Sequence, residues 1–229
     1  MPDAGMLSFP GSGALWLSVR LATITTLVLL LIGTPIAWWL AHTSSRWKAA
    51  IEALVALPIV LPPTVMGFYL LVVLGPYGTI GRWWVELTGD TLTFSFTGLV
   101  LASCLYSLPF AVQPMQNAFE SLDRRILEAA WTLGASRIDA FFSIAVPQSA
   151  RGFLNAVVLA FAHTLGEFGV VLMVGGNIPG ATRTISIEIY DQVESMNYDA
   201  AHSLSAILLT FAFSVLLLMY VINRRWQNR

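Results

Sequence analysis

Apolar runs without charge divide this chain into five stretches. They are Leu21–Ala41, Ala53–Gly81, Thr91–Phe119, Gly152–Thr182 interrupted by Glu167, and Ala200–Asn223. A hydrocarbon core about 30 Å thick needs about 20 residues of helix at about 1.5 Å each. Each run reaches that length once its loop ends are trimmed. The pattern predicts an all-α polytopic membrane protein with five transmembrane helices near 15–41, 52–74, 93–117, 153–174 and 200–222. Runs this long can satisfy their own backbone in lipid only as helices. Residues 1–12, rich in Gly, Pro and Ser, read as a mobile extracytoplasmic tail, 13–225 as one transmembrane domain, and 226–229 as a short cytoplasmic tail. Met1-Pro2-Asp3 lacks the basic start of a cleavable signal, and the first apolar run is too long for one.

Composition agrees. Of 229 residues 56% are hydrophobic and 11% charged, against about 25% charged in a soluble domain. A net charge of -1 with no long basic cluster excludes a nucleic-acid binder. The single cysteine, Cys104, permits no internal disulfide, and no Cys/His spacing suggests a metal site. Five spans put the chain ends on opposite sides. Arg46, Lys48, Arg124, Arg125, Arg137, Arg151, Arg224, Arg225 and Arg229, nine of the twelve basic residues, share one side; Arg20, Arg82 and Arg183 take the other. The positive-inside rule then places the N-terminus outside and the C-terminus in the cytoplasm. Trp16, Trp38, Trp39, Trp83 and Trp84 fall near span ends and read as interfacial anchors.

The longest inside loop, 120–151, has helical order. Ile126, Ala130 and Leu133 form one apolar stripe, and Gly134 stands where a helix C-terminus needs a left-handed residue. Ser136 can cap a second helix, with Asp139 as a capping-box partner. There Ile138, Phe141, Phe142 and Ala145 repeat at helical spacing, and Pro147 marks an end or a kink. Two helices on the headgroups would show the same pattern, and Glu128 could simply pair with Arg124 one turn earlier.

Glu128-Ala129-Ala130, three residues, Gly134, nine residues, then Ile144-Ala145-Val146-Pro147 resembles the EAA motif of ABC importer permeases, with Val146 where leucine is usual. That resemblance implies a type I ABC importer permease fold. In it Glu128, Ala129, Ala130, Gly134, Ile144 and Pro147 couple to a separate ATPase subunit, which binds the ATP and Mg. Ala56–Gly67, with Pro58, Pro62 and Pro63, Leu165–Gly169, and Gly176–Thr184 further resemble the molybdate ABC transporter permease family. Sulfate and thiosulfate permeases share part of this pattern but are typically longer, with six spans; tungstate is an expected co-substrate. The resemblance also implies a homodimer on two ATPase subunits, in membrane lipid, served by an extracytoplasmic oxyanion-binding protein.

Pro58, Pro62 and Pro63 remove backbone donors and break the second span, either as a simple kink or as a flexing element lining the path. Glu167 lies deep in the fourth span, where a charge costs about 2.5–3.5 kcal/mol on insertion scales. His163, four residues earlier, is its nearest candidate partner, and Gly166 and Gly169 would allow close helix approach. The pair reads as a structural or gating element, or as lining of the path. Asn177, Arg183 and Glu188, in the 175–199 loop, are candidates for docking the binding protein, or parts of a solvated turn. No G-x-x-x-x-G-K-[ST] loop and no catalytic motif occurs, so energy must come from a partner. An ion-gradient transporter, the alternative class, would need His163 and Glu167 to carry protons.

Overall fold

The structure, a computed structural model, describes residues 11–227, with side chains through Arg224. Residues 1–10 of the expected tail, the side chain of Arg225 and the last two residues through Arg229 lie outside the described residues. The described part is helical throughout its regular elements. In chain order these are α1 (Ser12–His42), α2 (Lys48–Val60), α3 (Pro63–Leu74), α4 (Thr79–Thr88), α5 (Phe96–Glu120), α6 (Arg124–Thr132) and α7 (Arg137–Ala140). A π-helical turn (Phe141–Ala145) leads into α8 (Val146–Gln148), followed by α9 (Ala150–Leu165), α10 (Gly169–Gly175), α11 (Ile185–Glu194) and α12 (Tyr198–Gln227). α1, α5 and α12 are each long and apolar enough to cross a membrane, and counting each of two sharply bent pairs, Lys48–Val60 with Pro63–Leu74 and Arg137–Gln148 with Ala150–Leu165, as one span gives up to five.

The centre of the bundle is α1, α5 and α9. Leu29, Ala37, Val112, Met115, Ala156 and Ala160 meet there and are buried. Small residues set the spacing. A Cβ added to Gly152 would fall 2.3 Å from Ala118 Cβ and 2.7 Å from the Pro114 carbonyl, so α5 and α9 touch through a glycine. Hydroxyls inside α1 bond back one turn, Ser18 to Ala14 O at 2.9 Å and Thr26 to Ala22 O at 2.7 Å, which satisfies them without water. Ser18 also accepts from the backbone N–H of Ile185 at 2.7 Å, capping the start of α11 from another helix.

Two expected spans differ from single helices. The second, expected over 52–74, is α2 and α3 bent by 112°. Leu61 and Pro62 are extended between them, because a residue before proline avoids the helical region and two successive prolines offer no donor. Pro63 then starts α3, where its missing N–H costs nothing. The fourth, expected over 153–174, stops at Leu165 and restarts at Gly169. No proline forces that break.

Trp38 also departs from expectation. It is half-buried, stacked edge-on against Phe119 at 5.0 Å and Phe141 at 4.9 Å, and so belongs to the core instead of a headgroup belt.

Candidate functional site

The segment 121–149 folds as a helical hairpin on one end of the bundle. Asp123 caps α6 by accepting from Arg125 N at 3.0 Å. α6 ends in a two-bond glycine turn: Ala135 N donates to Ala130 O and Gly134 N to Trp131 O, each at 3.0 Å, with Gly134 at φ 94°. A side chain at Gly134 would be strained by that backbone, not by crowding, since nothing lies within 4 Å. Ser136 caps α7 through Asp139 N at 3.1 Å. Asp139 does not complete the expected reciprocal cap; its carboxylate accepts from Ser143 Oγ at 3.0 Å. Pro147 cannot donate one turn back, and the wide π turn just before it absorbs the mismatch.

The root of the hairpin is buried and its tip is bare. Leu127, Ala140 and Ala145 sit in the core beside Phe119, and Phe141 and Ile144 pack against them. Of the expected stripe of Ile126, Ala130 and Leu133, only Ala130 packs on the core. Leu127 takes the inward place, Ile126 is exposed, and Leu133 is 89% exposed. Ile138 at 72% and Phe142 at 65% extend the uncovered apolar surface. Glu128, Ala129 and Pro147 are exposed as well. Among the described residues no ion pair joins Glu128 to Arg124.

The two interrupted helical segments, α2–α3 and α9–α10, meet. A Cβ on Gly169 would lie 2.6 Å from Pro63 Cβ, and one on Gly67 would lie 2.7 Å from Met173 Cβ, so α3 rests directly on α10. Pro58 is buried within α2, while Pro62 and Pro63 are exposed at the corner. Gly166 does not serve as a contact: a Cβ there would meet only its own helix's carbonyls. Glu167 is 5% exposed, and neither carboxylate oxygen has a hydrogen-bond partner among the described residues. Its expected pairing with His163 is absent. His163 Nδ1 instead meets Ser107 Oγ at 2.9 Å, Ser107 also meets Thr164 Oγ1 at 2.9 Å, and the imidazole stacks on Phe110 at 4.0 Å. The helix ends before Glu167, so the one-turn spacing no longer sets its direction.

At the opposite end of the bundle, Asn177, Arg183 and Glu188 do come together. Arg183 Nη1 pairs with Glu188 at 3.0 Å and Asp191 at 3.7 Å, and Arg183 Nε donates to Asn177 Oδ1 at 2.6 Å. Asn177 Nδ2 donates to Asp191 Oδ1 at 3.0 Å. These side chains fasten the loop to α11.

One cluster was not foreseen. Gln113 and Asn117 on α5 and Ser121 at its C-cap face Arg151 and Asn155 on α9 across a cavity of about 640 Å³ that opens beside the hairpin. The first three recur every four positions and so share one helix face. The signal was present as amides spaced one turn apart in an otherwise apolar run. On another side of α5, Gln116 Nε2 donates to Glu52 at 2.7 Å and Glu120 at 3.0 Å, and Lys48 pairs with Glu120 at 3.1 Å. The Gln116 hydrogen bond, with Lys48 beside it, holds the Glu120 carboxyl below the usual carboxylate range. Glu120 in turn raises the Lys48 ammonium.

Residues 33–228 match the family of binding-protein-dependent transport system inner membrane components. The chain is 56% identical over 211 residues to the molybdenum transport system permease protein ModB of Azotobacter vinelandii, covering 92% of this chain and 93% of that one. It is 38% identical over 190 residues to the Escherichia coli K12 protein of the same name, covering 83% of each. Among solved structures, a bacterial alginate ABC transporter in complex with its pentasaccharide-bound periplasmic protein matches at TM-score 0.76 and 17% identity, over 96% of this chain and 80% of that one. The inward-facing MetNI methionine ABC transporter matches at TM-score 0.69 and 13% identity, over 96% of this chain and 99% of its own. At these identities the structural likeness speaks for the fold alone.

Proposed function

We infer the function from one premise: the chain belongs to the family of binding-protein-dependent transport system inner membrane components. It is the permease subunit of a molybdate importer of the ABC class, a multi-pass protein of the bacterial inner membrane. The observation that carries the reading is the hairpin, whose root is held in the bundle while its apolar tip stays uncovered. An element of that kind transmits force to a partner, because its base cannot slip and its tip needs a cleft.

In this reading the chain crosses the membrane five times, with α2–α3 and α9–α10 as the broken passes. The excess of basic residues on the hairpin side supports a cytoplasmic hairpin and C-terminus and an outside N-terminus. Two copies form the path and stand on two ATPase subunits, which hold the ATP and Mg. Glu128, Ala129, Ala130, Gly134, Ile144 and Pro147 form the docking and lever segment. Pro58, Pro62, Pro63 and Gly169 shape a corner along the path, beside His163, Gly166 and Glu167. Asn177, Arg183 and Glu188 stiffen the outer loop on which a loaded oxyanion-binding protein lands. ATP binding draws the two hairpins together and opens the path outward, and hydrolysis resets it. The ion-gradient alternative loses its main support, since His163 is bonded to Ser107 and not to Glu167.

The test is uptake into proteoliposomes containing the permease, its ATPase and its binding protein. Molybdate should enter only with ATP, tungstate should compete, and excess sulfate should compete poorly. Uptake indifferent to ATP and abolished by a protonophore overturns the reading.

A further inference from the structure

We propose that the amide-lined cavity between α5 and α9 is the inner station of the oxyanion path, with Gln113, Asn117 and Asn155 as its direct contacts. The proposal rests on the importer reading above and names where in this chain the substrate is touched.

The composition of the cavity is the first argument. Its polar lining consists of three amides, the Ser121 hydroxyl and the Arg151 guanidinium, with no carboxylate among the lining residues. Amides offer N–H donors, which is what the oxygens of a tetrahedral divalent anion accept. The side chains of Gln113, Asn117 and Asn155 make no hydrogen bond to another described residue, so their donors are available to the cavity.

The treatment of nearby acids is the second. Glu52 and Glu120 belong to the same end of α2 and α5 and would repel an anion. Both are tied to Lys48 or Gln116 on another side of α5. Their charge is thus partly neutralised and kept off the wall.

The third concerns strength. A path must hold an ion well enough to replace some of its water and loosely enough to release it. Neutral amides meet that need better than several cations, on which a divalent anion would lodge. Gly152 brings α9 against Pro114 and Ala118, so the donors of both helices face a single space.

The experiment compares wild type with Asn117→Asp and Asn155→Asp in complete transporters reconstituted with the ATPase and binding protein. A carboxylate placed on the wall should lower molybdate uptake at least tenfold, while ATP hydrolysis stimulated by the binding protein stays within about twofold. Asn155→Gln, which keeps the donors, should retain most of the uptake. Wild-type uptake in the Asp variants with hydrolysis intact overturns this proposal and leaves the importer reading standing. Absence of oxyanion uptake by wild type itself overturns the reading, and the proposal with it. Should an Asp variant fail to assemble, Asn117→Cys and Asn155→Cys decide the matter. A water-soluble anionic thiol reagent should block their transport, and molybdate should slow the labelling, whereas Leu31→Cys on the exposed face of α1 should be indifferent. Unreactive cysteines at 117 and 155 would refute the assignment.

Discussion

The hairpin over 121–149 and the segment over 176–194 are both charged connectors, one at each end of the bundle, and they are completed to different degrees. In the second segment Asn177, Arg183, Glu188 and Asp191 bond one another, so these polar groups are already spent within the chain. The hairpin buries Leu127 and packs the half-buried Phe141 against the core at its root yet leaves Leu133, Ile138 and Phe142 uncovered at its tip. A connector that satisfies itself holds its shape alone. One that is anchored but bare has a defined shape and an unfinished surface, and such a surface is completed by another protein.

That contrast separates assembly from stability in mutational tests. Leu133→Asp should have the largest effect, because it sets a carboxylate into the surface proposed to meet the ATPase. Association of purified ATPase subunits should weaken tenfold or more, each tenfold being about 1.4 kcal/mol. Glu128→Ala should weaken the same association to a smaller degree. In both, the unfolding free energy of the permease alone should move by less than about 0.5 kcal/mol, as for other exposed sites. Destabilisation of the isolated permease with unchanged association would reverse the assignment of the tip.

Arg183→Ala should do the opposite. It strands Glu188 and Asn177, and hydrogen bonds to charged groups are worth about 1.5–3 kcal/mol, so thermal unfolding of the permease in detergent should shift downward by a comparable amount. ATPase association should be unaffected.

The smallest effect belongs to the Lys48–Gln116–Glu120 clasp. Glu120 is held below its usual value in the folded chain, so its contribution is present at neutral pH. It is lost as pH falls from the ordinary carboxylate value, about 4.3, through the lower folded one. Glu120→Gln should flatten the acid side of the unfolding-temperature profile without altering its neutral plateau.

What the sequence made legible follows from how local each feature is. The glycine turn at 134 and the Ser136 cap depend on neighbours within a few residues, and both form as their residues dictate. The corner at Pro62 was legible because proline forbids continuation. Its counterpart at Gly166–Phe168 was not, because glycine permits a break without requiring one. Glu167 therefore turned out of reach of His163. The inward face of α6 was open to two registers, and only Phe119 and the bundle end select Leu127. Trp38 lies near a predicted span end, yet Phe119 and Phe141 claim it. The amide wall needs α5 and α9 side by side, a fact that no single helical period contains.

The contact between Pro63 and Gly169 has a mechanical consequence. α3 and α10 meet there with the Pro63 ring against the bare backbone of Gly169, and each is joined to its parent helix by only two or three non-helical residues. They form a cassette on two short tethers. Displacing one drags the other along, and because Val170, Val171 and Val174 are buried against α1 and α5, the pair moves only as those contacts repack.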